Sequence, residues 1–234
     1  MTGGIFVTGT DTGIGKTRAT VMLMNALKAQ GYSVAGMKPV ASGATIKNGQ
    51  LRNDDATLIQ EHCSSKIDYE LINPVVFESP IAPHIAAIKA GTPIDINKIK
   101  AAYDTLKNSN DIVVVEGVGG WRVPLSETLS LKDLVRELKL PVVMVIGLRL
   151  GCLNHAILTA DAILADGLTL CAWISNRIDK TYENVRETLQ TLRANIPAPG
   201  IAEIPYLQAF ERSDAEVKID LSAISRHVPI LKQA

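Results

Sequence analysis

The stretch FVTGTDTGIGKT, residues 6–17, places a short apolar run directly before a glycine-rich turn and a Gly-Lys-Thr sequence. A strand that leads into such a turn and then into a helix is the setting of a phosphate-binding loop. The usual pattern of that loop is glycine, four residues, then Gly-Lys-Ser/Thr. Here five residues separate Gly9 from Gly15, and Thr10 occupies the position of the first glycine. The stretch predicts an α/β fold built around a phosphate-binding loop of unusual length.

Each residue type in this loop suits the binding of a nucleoside triphosphate. Gly13 and Gly15 allow backbone amides to approach phosphate oxygens without a Cβ in the way. The N-terminus of the following helix adds free N–H groups and a partial positive charge. Lys16 can bridge the β- and γ-phosphates, and the Thr17 hydroxyl can ligate Mg²⁺. We therefore predict nucleotide binding; the alternative is a glycine-rich turn with an incidental Gly-Lys-Thr.

Apolar runs rich in β-branched residues recur along the chain, and segments with helical periodicity separate them. We predict strands at residues 5–9, 33–40, 111–117, 141–147, 168–176 and 200–205. We predict helices at residues 16–31, 154–167 and 181–197, the last with Thr181 as a candidate N-cap. This alternation favours an α/β, P-loop NTPase-like fold, with a mainly parallel central sheet and helices on both faces. Residues 1–234 contain no repeat or linker, so we expect a single domain.

Composition argues against several classes of partner and cofactor. Equal numbers of basic and acidic residues, 24 of each, leave no basic field for nucleic acid or an anionic membrane. The three cysteines lie far apart, and the four histidines show no ligand spacing, so no disulfide framework or His/Cys metal site is expected. No apolar run reaches the roughly 18 residues of a membrane span, and no targeting segment precedes the first strand. We expect a cytoplasmic protein with no nucleic-acid and no membrane partner.

Charged residues follow two further predicted strands. Glu116 ends an apolar run and precedes a second glycine-rich stretch, at the strand end where α/β sheets bind ligands. Lys38 follows a strand and precedes a proline, where its charge could stabilise a transferring phosphoryl group. Asp54 and Asp55 precede a helical segment as either helix caps or metal ligands. The alternatives for the first two are a solvated carboxylate and a lysine whose ammonium reaches water.

Six motifs together resemble the dethiobiotin synthetase family: GTDTGIGKT, KPVASG, LRNDDA, NPVVFESPIAPH, VEGVGGWRVPL and LGCLNHAILTA. The resemblance covers roughly residues 3–207, and the longer loop, G-x5-G-K-T, is a hallmark of that family. It implies a cyclo-ligase of biotin biosynthesis that uses Mg-ATP to convert 7,8-diaminopelargonic acid and CO₂ into dethiobiotin, ADP and phosphate. One amine would capture CO₂ as a carbamate. Phosphorylation would give a carbamic-phosphoric anhydride, and the second amine would close the cyclic urea.

The resemblance also implies roles for individual residues. Lys38 and Lys16 would be catalytic, stabilising charge on the γ-phosphoryl group and the carbamate. Mg²⁺ would be held by Thr17, Asp55 and Glu116. The nucleotide would be bound by Gly13, Ile14, Gly15, Lys16, Thr17, Arg18, Asp55, Glu116, Gly117, Val118, Gly119, Asn176, Arg177, Pro205, Tyr206 and Leu207. The diamine would be bound by Thr12, Lys38, Ser42, Gly119, Gly151, Cys152, Leu153 and Asn154.

Two further implications concern assembly and base recognition. Residues 151–154 would open a helix supplied by the neighbouring subunit, which implies a homodimer with active sites at its interface. Asn176 would read adenine. However, residues 176–179, NRID, also resemble the N-K-x-D signature of GTP-binding proteins, so a wider nucleotide range stays open.

Departures from the family pattern are few. Gly13 stands where some relatives carry glutamate, and Thr188 falls where a relative carries a tyrosine near the distal substrate carboxylate. The main rival is a positioning ATPase of the MinD and ParA type, whose signature lysine is absent from the stretch Thr10-Asp11-Thr12. A second rival, an amidoligase related to cobyrinic acid diamide synthesis, would need a glutamine-hydrolysing domain. None of the cysteines lies in a nucleophile-elbow context for such a domain.

Overall fold

The computed structural model describes residues 3–206 and 217–232. Within those residues the strands are β1 (Gly3–Gly9), β2 (Val34–Met37), β3 (Val40–Ser42), β4 (Thr45–Lys47), β5 (Gln50–Arg52), β6 (Val75–Phe77), β7 (Ile112–Glu116), β8 (Val142–Leu148), β9 (Leu170–Arg177) and β10 (Gly200–Ile204). The helices are α1 (Lys16–Ala29), α2 (Asp54–Glu61), α3 (Tyr69–Ile72), α4 (Pro83–Ala90), α5 (Ile96–Ser109), α6 (Leu131–Leu138), α7 (Cys152–Ala165), α8 (Val185–Asn195) and α9 (Ser222–Ser225), followed by a 3₁₀ turn at Pro229–Lys232. Over the described ranges, no helix has both the length and the apolar character needed to span a bilayer.

The central sheet consists of six described strands in the order β10-β9-β8-β1-β7-β2, and every neighbouring pair is parallel. All residues of β7 and β8 are buried. Strands buried on both faces are apolar at consecutive positions, which is why these runs were visible in the sequence. The predicted α/β fold with a mainly parallel sheet is confirmed, and each of the six predicted strands lies in this sheet.

The strand order reverses at β1. After β1 the chain forms β2 and β7 on one side, and then extends the sheet on the other side with β8, β9 and β10. The loops that follow β7 and β8 therefore diverge on either side of the loop that follows β1. In open α/β sheets, such a switch point creates a crevice at the carboxyl ends of the strands, where ligands bind. The phosphate-binding loop and Glu116 both lie at this point.

Two helices begin at residues other than the predicted ones. The helix predicted at 154–167 begins two residues earlier, at Cys152. The helix predicted at 181–197 begins at Val185, and the assignment of Thr181 as its N-cap was wrong. Asp179 Oδ1 accepts hydrogen bonds from the amide of Thr181 at 2.8 Å and from its hydroxyl at 2.6 Å. Thr181 therefore belongs to a turn that precedes the helix, because its hydroxyl already has a local partner.

Residues 40–110 form the part of the fold that the sequence pattern left least defined. β3 and β6 pair in parallel, and β4 and β5 form a short antiparallel hairpin. Helices α2 to α5 lie in the same part of the chain. Asn53 caps α2, because its side-chain oxygen accepts a hydrogen bond from the amide of Ala56 at 3.2 Å. Asp54 and Asp55 therefore lie in the first turn of that helix, and neither is its cap.

Candidate active site

The phosphate-binding loop has a backbone conformation that requires glycine at Gly15. Its φ is 81°, in the left-handed region, and a Cβ built there would lie 2.2 Å from Asn176 Nδ2. Asn176, in β9, donates from Nδ2 to the carbonyl of Ile14 at 2.8 Å. The side chain of Asn176 thus holds the loop from the neighbouring part of the sheet. Its other polar atom, Oδ1, is buried without a protein partner.

Lys16 folds back over the same loop. Its Nζ donates to the carbonyl of Asp11 at 2.9 Å, and the Asp11 carboxylate forms an ion pair with Arg149 at 2.6 Å. Burial, together with the positive charge of Lys38, lowers the pKa of Lys16 to about 8. The two lysine ammonium groups therefore face one region of the molecule, and a bound anion would relieve the repulsion between them.

Lys38 lies at the centre of a buried charge cluster, which also contains Glu116, Asp55 and Thr17. Its Nζ donates to Glu116 Oε1, to Asp55 Oδ2 at 3.2 Å and to the carbonyl of Gly117 at 3.1 Å. Thr17 Oγ1 donates to the same oxygen of Glu116 at 3.1 Å. Lys38 is 3% exposed and Glu116 is fully buried. The cluster thus brings together two carboxylates, a hydroxyl and an ammonium group.

Both charges of the Lys38–Asp55 pair are favoured by their neighbours. Burial by itself would lower the pKa of Lys38, but the carboxylates of Glu116 and Asp55 outweigh it and raise that pKa. Burial by itself would raise the pKa of Asp55, but the charge of Lys38 outweighs it and lowers that pKa. At neutral pH Lys38 is therefore a cation and Asp55 an anion.

Strand register explains how Lys38 reaches Glu116. Met37 in β2 pairs with Val115 in β7, so the residues that follow them, Lys38 and Glu116, lie at the same level of the sheet. Val7 in β1 pairs with Glu116, which puts this carboxylate beside the strand that leads into the phosphate-binding loop. Adjacent parallel strands present their carboxyl-terminal residues at one edge, and these three strands are adjacent.

A network of polar side chains that the sequence did not predict supports the cluster. Asn73 Nδ2 donates to the carbonyl of Lys38 at 2.6 Å, and Asn73 Oδ1 accepts from the Tyr69 hydroxyl at 3.0 Å. The same hydroxyl accepts from the amide of Asn53, the cap of the helix that carries Asp55, at 2.8 Å. Through these bonds, one tyrosine connects the backbones on both sides of the cluster.

A cleft of about 870 Å³ opens beside the loop and the cluster. Thirteen of the predicted site residues line it: Thr12, Gly13, Gly15, Lys16, Thr17, Arg18, Lys38, Ser42, Asp55, Glu116, Val118, Gly119 and Asn176. The cleft is also lined by residues that were not predicted, namely Ala41, Asn53, Pro80, Ile81, Ala82, Pro83, Val123 and Pro124. Several of these belong to the motifs NPVVFESPIAPH and VEGVGGWRVPL, so the motifs carried a signal that single-residue reasoning did not use.

Other predicted nucleotide-binding residues lie outside the lining of this cleft. The side chain of Ile14 is in the hydrophobic core, 1% exposed. Arg177 donates to the carbonyls of Lys180 at 2.9 Å and Tyr182 at 3.2 Å, within the turn that precedes α8. Gly117 contributes its carbonyl to Lys38, and Pro205 and Tyr206 follow β10. Leu207 lies outside the described residues.

Residues 151–154, predicted to bind the diamine, form the N-terminus of α7 and do not line the cleft of their own chain. Gly151 and Asn154 are exposed, whereas the Cys152 side chain is buried. Thr188, which stands where a relative has tyrosine, is also buried, and its hydroxyl shares a hydrogen bond of 2.5 Å with the Tyr182 hydroxyl.

The oxygen donors of the cluster are of the type that Mg²⁺ prefers. Thr17 supplies a hydroxyl, Asp55 and Glu116 supply carboxylates, and Glu116 Oε2 is buried without a protein partner. In the described residues, no group of three or more His, Cys, Asp or Glu side chains could hold a metal ion. Two carboxylates are enough for Mg²⁺, which usually keeps several waters and binds one or two carboxylates together with substrate phosphates.

Comparisons with known proteins identify the family of this chain. A family model described as an AAA domain matches residues 3–214. The ATP-dependent dethiobiotin synthetase BioD of Photobacterium profundum is 44% identical over 211 residues, which are 90% of this chain and 96% of the relative. The protein of the same name from Xylella fastidiosa is 46% identical over 202 residues, 86% of this chain and 89% of the relative.

Among solved structures, the MinC:MinD cell division protein complex of Aquifex aeolicus matches with a TM-score of 0.54. The match has 15% sequence identity and covers 92% of this chain and 85% of that chain. At this identity the likeness concerns the fold alone, and it supports the parallel α/β architecture described above. The curated relatives are far more similar in sequence and match nearly over their full length. The chain therefore belongs to the ATP-dependent dethiobiotin synthetase family.

Proposed function

We propose that this chain is an ATP-dependent dethiobiotin synthetase that converts 7,8-diaminopelargonic acid and CO₂ into dethiobiotin. The observation that carries the proposal is the buried cluster of Lys38, Glu116, Asp55 and Thr17 beside the phosphate-binding loop. Phosphoryl transfer needs positioning and charge stabilisation more than covalent chemistry from the protein. The cluster offers a cation at a fixed position together with oxygen ligands for a metal ion.

The phosphate-binding loop would hold the triphosphate of ATP. Gly13 and Gly15 leave room for backbone amides to meet phosphate oxygens, and Lys16 would exchange its bond to the Asp11 carbonyl for bonds to phosphate. Thr17, Asp55 and Glu116 would hold Mg²⁺. When bound, that ion supplies positive charge to the oxygens of the phosphates.

Base recognition would rest on Asn176. Because Nδ2 is bonded to the Ile14 carbonyl, Oδ1 is free to accept a hydrogen bond from the amino group of adenine. Asp179 resembles the guanine-binding aspartate of N-K-x-D proteins, but its Oδ1 already accepts two hydrogen bonds from Thr181. This arrangement favours ATP over GTP.

Lys38 would stabilise the negative charge that develops as the carbamate attacks the γ-phosphoryl group. Glu116 and Asp55 keep it protonated, and Asn73 fixes its backbone. Ser42 is suited to contact the carbamate or an amine, since its hydroxyl oxygen is buried in the cleft region without a protein partner. A charge that is already in position before the reaction stabilises the transition state without a cost of reorganisation.

The apolar part of the cleft wall suits the methylene chain of the diamine. Ala41, Ile81, Val123 and Pro124 line it together with the polar groups that would meet the reacting end. The distal carboxylate would be bound by the amides of residues 151–154 from a neighbouring subunit, by the anion-binding property of helix N-termini. Leu150 and Leu158, which are 90% and 60% exposed, flank this segment and are suited to a subunit contact. We infer a homodimer, which sedimentation of the purified protein would test.

The direct test is phosphate release from Mg-ATP, with the diamine and bicarbonate added separately and together. We expect release only when both are present, and we expect EDTA to abolish it. In the same assay, Lys38→Met tests the catalytic role of Lys38. Lys28→Met is its matched control, because Lys28 donates to the carbonyl of His62 and does not line the cleft. Slow release that is indifferent to both substrates would contradict the proposal and favour a switch ATPase.

A further inference from the structure

Asp166 forms a second cluster of polar contacts, outside the cleft. It follows α7, and its side chain is 8% exposed. Its Oδ2 accepts from the indole N–H of Trp121 at 2.8 Å and lies 3.2 Å from Arg122 Nη2. Its Oδ1 accepts from Lys132 at 3.4 Å, and its carbonyl accepts from Arg136 at 2.8 Å. Donors from the 117–124 segment and from α6 therefore converge on a single residue.

The location of Asp166 is unfavourable for its helix. It is the C-cap residue of α7, and a carboxylate at a helix C-terminus faces the negative end of the helix dipole. The cations Arg122, Lys132 and Arg136 offset that repulsion. Asp166 is unfavourable for its own helix, yet its carboxylate is bound by side chains from other segments. This combination points to a requirement other than helix stability.

The segment that Asp166 holds forms part of the cleft wall. Val118, Gly119, Val123 and Pro124 line the cleft, and Trp121 lies between them in the chain. Gly119 has a φ of 61°, and a Cβ built there would lie 2.9 Å from Val123 Cγ2 and 3.5 Å from Thr12 Oγ1. The wall thus folds tightly on itself and lies close to the phosphate-binding loop.

Backbone bonds attach this segment near both ends. The amide of Gly117 donates to Val7 in β1 at 2.9 Å, and the carbonyl of Val123 accepts from Leu131 in α6 at 2.9 Å. Between these attachments, two consecutive glycines at 119 and 120 give the backbone wide conformational freedom. The indole of Trp121, 3% exposed, follows these glycines directly and is held by Asp166.

We propose that Asp166 is a positioning residue for the diamine. By binding the Trp121 indole, it sets the 118–124 segment at the distance from Thr12 that the diamine requires. This inference rests on the proposed function, since it concerns the substrate of that reaction. The phosphate-binding loop is held independently by Asn176 and by the Asp11–Arg149 ion pair, so the contacts of this loop with ATP do not depend on Asp166.

The test compares Asp166→Ala, Asp166→Asn and Trp121→Phe with the wild type in the phosphate-release assay. We expect Asp166→Ala and Trp121→Phe each to raise KM for the diamine about five- to tenfold. The diamine KM rises because the wall must be ordered when the diamine binds. In contrast, kcat and KM for ATP should each stay within about twofold of wild type. The double variant Asp166→Ala with Trp121→Phe should have a diamine KM no higher than that of the more impaired single variant, since both changes remove the same interaction. Asp166→Asn keeps an amide oxygen for the indole and should recover most of the diamine affinity.

Asp161→Ala is the matched control, an exposed aspartate on the same helix, and should leave all three constants unchanged. Variants with diamine KM within twofold of wild type would overturn the inference. A fall in kcat and in the urea midpoint, together with a rise in KM for both the diamine and ATP, would also overturn the inference. Such a result would indicate a purely structural role for Asp166. A wild-type protein whose phosphate release ignores the diamine would refute the proposed function itself, before any variant is compared.

Discussion

Replacing Lys38 with methionine keeps the length of the side chain but removes the ammonium group from the buried cluster. In the wild type that group binds Glu116, Asp55 and the carbonyl of Gly117. After the change, the fully buried Glu116 carboxylate retains the hydrogen bond from Thr17. Two consequences follow, one for folding and one for turnover, and they can be measured separately.

The loss of folding stability follows from the burial of the pair. Removing one partner of a buried ion pair costs about 3–5 kcal/mol, because the remaining charge is uncompensated. The Asp55 side chain is 48% exposed, so its lost contact adds little. Against a typical total of about 5–15 kcal/mol, the variant should fold but unfold at a clearly lower urea concentration. The double variant Lys38→Met with Glu116→Gln should recover most of this stability, because no buried charge is then left alone.

The loss of turnover should not recover in that double variant. Removing a group that stabilises transition-state charge costs about 2.7–4 kcal/mol, or about 10²–10³ in kcat. ATP affinity, measured by calorimetry, should change by less than about tenfold, because the loop and Lys16 still bind the phosphates. Lys28→Met serves as the control and should keep full turnover. A Lys38→Met protein with turnover within twofold of wild type would refute the charge-stabilising role.

Three further predictions concern the loop, the base and the sheet. Gly15→Ala should weaken ATP binding at least tenfold by calorimetry, because the new Cβ would lie 2.2 Å from Asn176 Nδ2 and the left-handed backbone costs about 1–2 kcal/mol. Asp179→Ala should leave the ratio of kcat/KM for ATP and GTP within about twofold, since its carboxylate belongs to a turn. Asp111→Asn should lower the free energy of unfolding by about 1 kcal/mol at pH 7, by urea titration. Hydrogen bonds from Ser33 lower the pKa of Asp111, so this difference should be present above about pH 4 and shrink as pH falls further.

Each of these has its own control or contrary result. Gly13→Ala shares the left-handed backbone, with φ 72°, but its Cβ would meet no atom within 4 Å, so it should lose less ATP affinity than Gly15→Ala. Equal losses in the two variants would show that contact with Asn176 is unimportant. A tenfold shift in base preference on removing Asp179 would show that it reads the base. A stability difference for Asp111→Asn that stayed constant from pH 7 to about pH 3 would contradict a role for its charge.

The apolar runs predicted every strand of the central sheet because parallel strands covered on both faces are apolar at successive positions. The same reasoning failed for residues 40–110. There β3, β4, β5 and β6 contain three residues each, and all three residues of β4 are exposed. Such short elements have no periodicity to detect, and their pairing depends on the surrounding fold. The prediction of Thr181 as an N-cap was wrong because its hydroxyl donates to Asp179 in the preceding turn, a contact that helical periodicity does not reveal.

Much of the candidate site was also predictable, because its residues lie in short local patterns. The loop residues and Glu116 could be chosen from a strand end followed by glycines, and Lys38 from a strand end before proline. No role was predicted for Asn73, which opens the motif NPVVFESPIAPH, or for Tyr69 and Asp166, which lie outside the six motifs. Their contacts depend on residues distant in the chain; Asn73, for example, donates to the carbonyl of Lys38, 35 positions away.

The sequence alone determined the parallel α/β architecture, the phosphate-binding loop and the family, because these depend on local spacing and on motifs in a constant order. Only the tertiary structure decided that Lys38 binds Glu116, 78 residues away, and does not reach water. That choice depends on β2 lying beside β7 with Met37 opposite Val115, a pairing that the order of strands in the sheet creates. It likewise decided that Asp166 meets Trp121, 45 residues away. Contacts between distant residues depend on strand order and register, which neither segment specifies by itself.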